Sequence, residues 1–95
     1  MKVKRDKETD GYYHHWCPGC KARHLIPDWG EPGKRWTFNN NFEKPSFQPS
    51  VRLSAGGEVY CHYFITDGNI LFCEDSAHAL AGKAVPLPDL PKEFQ

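Results

Sequence analysis

Four cysteines and five histidines give this chain of 95 residues a clear potential for metal chemistry. Cys17 and Cys20 flank a Pro-Gly turn, so both thiolates can point into one small space. Two thiolates at this spacing form half of a tetrahedral zinc site, which is completed by further thiolates or neutral imidazoles. Cys61, His62 and Cys73 are available far along the chain. The sequence therefore predicts one structural Zn²⁺ that ties an N-terminal turn to a C-terminal hairpin.

The register of that hairpin selects the remaining ligands. Residues 58–66 and 69–73 are rich in β-branched and aromatic side chains, and Asp67-Gly68 separates them. An Asp-Gly pair between two such runs is a strong signal for a two-residue hairpin turn. Counting outward from the turn places His62 opposite Cys73, where facing Cβ atoms are about 4.5–5.5 Å apart. The predicted ligands are Cys17, Cys20, His62 and Cys73.

Three other residues stay open as ligands. Cys61 replaces His62 if the register slips by one residue, because neighbouring strand residues point to opposite faces. His78 could enter from a predicted helix, and His24 lies close enough to Cys20 to bind the metal or to support a ligand. A redox Cys-x-x-Cys pair competes with the zinc interpretation, but that motif normally opens a long helix, which the nearby prolines and glycines disfavour.

The elements that must position these ligands are mostly strands. Residues 11–16 and 22–26 are predicted to form a hairpin around the Cys-x-x-Cys turn, a zinc-knuckle arrangement. A Pro/Gly-rich loop follows at residues 27–33. Residues 43–50 contain two prolines, which favours an extended edge or covering segment over a central strand, with Phe47 as its buried anchor.

The C-terminal part is predicted to add a short helix. Asp75 or Ser76 caps its start and Gly82 ends it. The predicted fold class is a small β-rich (α+β) zinc-binding domain, with a Cys-x-x-Cys knuckle, antiparallel hairpins and one short C-terminal helix. Residues 1–10 are predicted to be a flexible segment, and residues 11–95 a single zinc-binding domain.

Charge and hydropathy limit the partners. Lys and Arg total 12, as do Asp and Glu, so the net charge is zero, which argues against strong nucleic-acid binding. The sequence has no apolar run long enough to span a bilayer, and no hydrophobic stretch follows its charged start. We therefore expect no membrane association and a cytoplasmic location, where cysteines favour metal over disulfides.

The sequence favours a protein-interaction module over an enzyme. It offers no visible nucleophile–base pair or phosphate-binding loop, and no catalytic residue is assigned, but it is rich in aromatic side chains. Trp29, in the Pro/Gly-rich loop, is the candidate contact with a partner. The alternative is a zinc-dependent hydrolase in which the metal keeps an open position and Glu74 acts as the base.

Five segments carry a resemblance to a known group of proteins, namely HWCPGC, RWTFN, EKPSFQPSV, CHYFITDGNILF and HALAGKAVPLPDLP. They resemble a group of short proteins from bacteriophages and prophages, some of which are labelled ammonia monooxygenase. The similarity runs from about Tyr13 to Leu90. The phage group has a cysteine at the position of Ser76, whereas this chain has one three residues earlier, at Cys73. The resemblance implies a phage-encoded zinc-binding accessory protein, and its partner would be a host or phage protein, as in host takeover or anti-defence.

A more distant resemblance involves fewer residues. The Cys-x-x-Cys pair, residues 62–65 and Phe72-Cys73 are similar to predicted zinc-binding proteins encoded beside bacterial ubiquitin-like conjugation genes. This second resemblance also implies a bound zinc ion.

Overall fold

Two antiparallel sheets make up the fold in a computed structural model that describes residues 1–31 and 35–95. The first sheet contains three strands in chain order, β1 (Val3–Arg5), β2 (Tyr12–Cys17) and β3 (Ala22–Pro27). The second contains five, also in chain order: β4 (Thr37–Phe38), β5 (Phe47–Ala55), β6 (Glu58–Thr66), β7 (Asn69–Phe72) and β8 (Ala84–Pro86). A 3₁₀ turn at Lys92–Phe94 follows.

β2 and β3 form the hairpin predicted around the Cys-x-x-Cys turn. Their register pairs Tyr13 with Ile26 and Cys17 with Ala22, so the turn begins where β2 ends. β1 lies at the other edge of β2 and places Val3, from the segment predicted to be flexible, in the core with no exposed surface. The predicted loop at 27–33 is only partly visible, because Pro32 and Gly33 lie outside the described residues.

The hairpin of β6 and β7 has the predicted register, with Tyr63 opposite Phe72 and a two-residue turn. Asp67 and Gly68 take φ values of 48° and 79°, which a primed hairpin turn requires. Beyond the last strand pair, the N–H of Cys73 donates to the carbonyl of His62 at 2.8 Å. The Asp-Gly signal was therefore sufficient to predict the register of this hairpin, although β7 ends at Phe72, one residue before the predicted end.

The edge or covering segment predicted at residues 43–50 is wrong in part, because β5 begins at Phe47, continues through Pro49 and lies between β4 and β6. Phe47 pairs with Ile65 and Val51 with Tyr63, so β5 contains two extra residues between these pairs. Pro49 lies inside this bulge, where its missing N–H interrupts no regular ladder. Phe47 is buried, as predicted.

The predicted C-terminal helix is wrong. Residues 74–82 form consecutive turns, and the described residues contain no α-helix. The N–H of Ala77 donates to the carbonyl of Tyr60, and the N–H of Gly82 donates to that of Phe72, so the segment is bonded to the sheet. A helix of so few residues gains too few internal bonds to offset the cost of nucleation. The fold is thus a small β-rich domain.

Side chains from both sheets share one core. Tyr13 of β2 packs against Phe47 of β5, with ring centroids 5.7 Å apart. The proline-rich tail covers this core, since Leu87 and Leu90 are buried. In the described part of the chain, no helix is long and apolar enough to cross a membrane.

Candidate metal centre and a Ser-His-Asp triad

Three cysteines and one histidine converge where the first hairpin turn meets β6. The ligand atoms of Cys17, Cys20, His24 and Cys61, the metal-ligand cluster, all lie within 4.8 Å of one another. The sulfurs of Cys17 and Cys61 are 3.9 Å apart. Two thiolates on a tetrahedral zinc lie roughly 3.8 Å apart, given Zn–S bonds of about 2.3 Å. The cluster could therefore hold one metal ion, and its donor set is the one that zinc prefers.

The thiols of the cluster affect one another's ionisation, and Cys17 and Cys61 share a proton in a hydrogen bond. A hydrogen bond from Cys61 is the largest cause that lowers the pKa of Cys17, to about 6, and the same bond raises the pKa of Cys61. Burial raises the pKa of Cys20, and the negative charge of Cys17 adds to that effect. A cation in the cluster would relieve this repulsion and allow all three sulfurs to be thiolates.

A buried polar chain supports the ring of His24. Its Nδ1 is 3.1 Å from the hydroxyl of Tyr63, which in turn is 2.7 Å from Nε2 of His15. Burial, together with a smaller effect of the nearby His78, lowers the pKa of His24 to about 4, so the imidazole is neutral at pH 7, as a metal ligand must be. With Nδ1 held by Tyr63, Nε2 remains available for a metal.

His78 lies beside the cluster in a different role. Its Nε2 is 3.5 Å from the sulfur of Cys61, and its Nδ1 accepts a hydrogen bond from the N–H of Leu80 at 3.2 Å. Because Nδ1 accepts, the proton of the neutral ring is on Nε2, which then donates to the sulfur. If Nε2 bound a metal, the ring proton would move to Nδ1. Two N–H groups, that of Nδ1 and that of Leu80, would then point at each other. The geometry thus fits a hydrogen-bond donor to the sulfur of Cys61.

His62 and Cys73, the predicted third and fourth ligands, lie elsewhere. They form a second group with Asp75, and Glu74 belongs to neither group. The reason is strand alternation: Cys61 points inward and is fully buried, so the adjacent His62 points to the outer face of the sheet. His62 and Cys73 do lie close together, as predicted. The Cys-x-x-Cys turn, however, packs against the inner face of β6, which carries Cys61.

His62 instead links a serine and an aspartate. Its Nε2 is 3.1 Å from the hydroxyl of Ser50, and its Nδ1 is 3.0 and 3.1 Å from the two carboxylate oxygens of Asp75. The side chain of His62 is 23% exposed and that of Asp75 is 50% exposed, so the group faces solvent. A hydroxyl bonded to one imidazole nitrogen and a carboxylate bonded to the other is the arrangement of a catalytic triad.

Neighbouring backbone features hold this triad in place. Ser50 follows Pro49 in the bulge of β5, a type of irregularity that redirects side chains near active sites. Ser76 donates from its hydroxyl to the carbonyl of His62 and accepts from the N–H of His62, both at 3.0 Å. These two bonds tie the turn that carries Asp75 to the strand that carries His62.

One known protein family matches most of the chain. The family described as "Bacterial ubiquitination-like system serine protease (BubE)" has a sequence model that matches residues 1–73, more than half of the chain. The chain belongs to the BubE family. Ser50, His62 and the whole metal-ligand cluster lie within the match, and Asp75 follows two residues after it. No curated protein and no solved structure matches the chain.

BubE family membership supports the distant resemblance to proteins encoded beside ubiquitin-like conjugation genes. Together with the metal-ligand cluster, it fits a metal-binding accessory protein of a bacterial ubiquitination-like system. Neither the match nor the structure supports a phage role, and the partner in a host or phage stays a prediction.

Sequence reasoning missed the triad of this BubE family member. Ser50, His62 and Asp75 are separated by 12 and 13 residues, and no short motif joins them. One signal was present: alternation along the predicted hairpin requires His62 and Cys61 to face opposite ways, so one of them had to be free for another role.

Exposed apolar side chains lie on the same face of the sheet as His62. Tyr60 and Phe64 flank His62 on the same face of β6 and are 41% and 44% exposed, and Leu71, opposite Phe64, is 38% exposed. Trp29, the predicted partner contact, is 57% exposed and packs its edge against Tyr12. Its role in binding stays a prediction.

Proposed function

We propose that this chain is a serine protease of a bacterial ubiquitination-like system, built around a structural zinc ion. The observation that carries the proposal is the hydrogen-bonded series of Ser50, His62 and Asp75 on the exposed face of the sheet. The description of its family, which names a serine protease, supports the same chemistry.

In the proposed reaction, the hydroxyl of Ser50 attacks a substrate carbonyl and gives its proton to Nε2 of His62. Asp75 holds the imidazole so that its Nδ1–H points to the carboxylate, and it stabilises the imidazolium that forms. His62 then gives the proton to the leaving group, and an acyl group remains on Ser50. A water molecule, deprotonated by the same nitrogen, hydrolyses this acyl-enzyme and restores the serine.

The surroundings of the triad suit a polypeptide substrate. Tyr60, Phe64 and Leu71 provide partly exposed apolar contact area on the face of the sheet that carries His62. Apolar side chains next to a nucleophile can bind substrate residues on either side of the scissile bond, which lowers the entropy cost of positioning that bond. An extended chain across β6 and β7 is the geometry we propose.

Zinc in the proposed enzyme has a structural role. Cys17, Cys20, Cys61 and His24 would hold it, and four protein ligands leave no position for a substrate or a water molecule. The ion supplies charge that keeps three thiolates together. A zinc-dependent hydrolase with Glu74 as the base is the weaker hypothesis, because a zinc ion with four protein ligands has no open position for the attacking water.

The test is covalent labelling of the purified chain with a fluorophosphonate probe, which reacts with activated serines. We expect labelling of the native chain and none of Ser50→Ala. Asp75→Asn should slow labelling by roughly 10²- to 10⁴-fold, since the imidazole loses its correct tautomer. Ser54→Ala, an exposed serine of the same strand, is the matched control and should label at the native rate.

Either of two results would overturn the proposal: labelling of Ser50→Ala at the native rate, or a native chain that carries zinc, is folded and does not react. Glu74→Gln distinguishes the zinc-hydrolase alternative from the serine protease, because the variant should lose hydrolysis of peptide substrates only if Glu74 is the base.

A further inference from the structure

A second group of ligating side chains overlaps the triad. A ring nitrogen of His62, the sulfur of Cys73 and a carboxylate oxygen of Asp75 all lie within 4.8 Å of one another. His62 and Asp75 already have roles in the proposed acyl transfer. Cys73 has none, yet its N–H donates to the carbonyl of His62, so the backbone holds it next to the catalytic base.

Imidazole, thiolate and carboxylate together are a ligand set for a borderline-soft divalent cation such as zinc. Hard cations such as magnesium prefer oxygen ligands alone and would gain little from Cys73. His62 and Cys73 are partly buried and Asp75 is half exposed, which leaves room for solvent to complete the coordination. A site with three protein ligands and at least one coordination position open to solvent is accessible, unlike the four-ligand cluster in the core.

We propose that His62, Cys73 and Asp75 form a second, exchangeable site for a zinc-class cation, and that a bound ion switches off the Ser50–His62–Asp75 triad. The inhibitory half of this inference rests on the proposed protease function. Binding replaces the thiol proton of Cys73, which is released to solvent, and it changes no oxidation state.

Metal binding and catalysis exclude each other at this position. An ion on Nε2 of His62 occupies the lone pair that must accept the proton of Ser50. An ion on Nδ1 breaks the hydrogen bond to Asp75 and leaves the proton of the neutral ring on Nε2, which then cannot accept the proton of Ser50. Whichever nitrogen binds, the imidazole can no longer act as the general base.

This second site should bind zinc more weakly than the metal-ligand cluster. It has three protein ligands rather than four, and Asp75 is half exposed, whereas Cys17 and Cys61 are fully buried. The site would then respond to free zinc while the structural ion stays bound. A cell could in this way suppress proteolysis when zinc is abundant.

The binding test uses the full chain with one equivalent of zinc already bound. Cobalt(II) is added as the probe, and the thiolate-to-cobalt charge-transfer absorption is followed. We expect a band in the native chain, and at least about 10-fold weaker cobalt binding in Cys73→Ser. Glu74→Gln, which removes a neighbouring carboxylate outside the group, is the matched control and should behave as the native chain does. An equally strong band in Cys73→Ser, or no binding beyond the first equivalent, would overturn the inference.

The inhibition test follows the rate of fluorophosphonate labelling as zinc is added. Each variant is compared with its own rate in the absence of added zinc. Zinc should slow labelling of the native chain and of Glu74→Gln, and Cys73→Ser should need at least about 10-fold more zinc for the same effect.

The two tests separate the two proposals. Labelling that is unaffected by zinc leaves the protease and removes the inference. A Cys73-dependent cobalt band in a chain that never labels establishes the metal site and removes the protease.

Discussion

At the scale of single residues, two histidines compete for the fourth ligand position, and hydrogen bonds distinguish them. His24 has its Nδ1 against the hydroxyl of Tyr63, which leaves Nε2 for a metal. His78 has its Nδ1 against a backbone donor, which places its proton on Nε2 and aims an N–H at Cys61. A ligand needs a lone pair toward the metal, so the same side-chain type takes two different roles within one site.

This difference predicts unequal effects of two alanine substitutions. His24→Ala should remove a ligand and lower zinc affinity by more than about 10²-fold, because loss of a supporting partner alone costs roughly 10- to 100-fold. His78→Ala should fall within that smaller range, since it removes only a hydrogen bond to a thiolate. Competition with a chromophoric chelator measures both affinities.

The control for these variants is the far-ultraviolet circular dichroism of each zinc-loaded protein, which should match that of the native chain. A larger loss of zinc affinity in His78→Ala than in His24→Ala would mean that His78 is the ligand and His24 the supporting residue.

At the scale of elements, β6 serves both sites because a strand has two faces. Cys61 and Tyr63 point inward, toward the metal-ligand cluster and the core. Tyr60, His62 and Phe64 point outward, toward the triad and its apolar surroundings. A shift of one residue in the register of β6 would exchange these sets, so the turn that sets the register is important for both sites.

The turn at Asp67-Gly68 can be tested directly. Gly68 has a φ of 79°, and a Cβ there would lie 3.2 Å from Cα of Lys44. Gly68→Ala should lower the free energy of unfolding by about 2 kcal/mol, from the left-handed backbone and from this contact. Urea unfolding at a fixed zinc concentration measures the change.

Gly57→Ala is the matched comparison for the hairpin turn. Gly57 has a similar φ of 82°, but a Cβ there would meet no atom within 4 Å. This variant should therefore lose only the backbone part, about 1 kcal/mol. Equal losses in the two glycine variants would mean that the contact with Lys44 has no energetic weight.

At the scale of the whole molecule, the metal-ligand cluster joins the two sheets. Cys17, Cys20 and His24 belong to the hairpin of the first sheet, and Cys61 belongs to β6 of the second. Structural zinc contributes on the order of 10 kcal/mol to folding, which equals or exceeds the net stability of a small domain. An ion bound in this cluster would therefore link the two halves of the core.

Removal of the metal should unfold the chain cooperatively. A strong chelator is expected to abolish both the near-ultraviolet circular dichroism of the packed aromatic residues and fluorophosphonate labelling, and added zinc should restore both. Labelling should disappear although no residue of the triad belongs to the cluster. A chelated chain that keeps its melting temperature would contradict a structural role for zinc.

The sequence alone was sufficient wherever a local signal decides the structure. The Asp67-Gly68 turn determines the β6–β7 register because only a primed turn matches the twist of adjacent strands. The Cys-x-x-Cys spacing similarly predicted the turn between β2 and β3. The helix at 75–82 failed because the partners of its backbone groups, the carbonyls of Tyr60 and Phe72, are distant in sequence.

The identity of the remaining ligands and the existence of the triad were decided only by the tertiary structure. Alternation along β6 separates Cys61 from His62, but it does not say which face of the sheet meets the Cys-x-x-Cys turn. That choice follows from how the two sheets pack through Tyr13 and Phe47. Once the inner face takes Cys61, His62 is left at the surface. There the bulge of β5 and the turn after β7 bring it a serine and an aspartate that no spacing in the sequence connects.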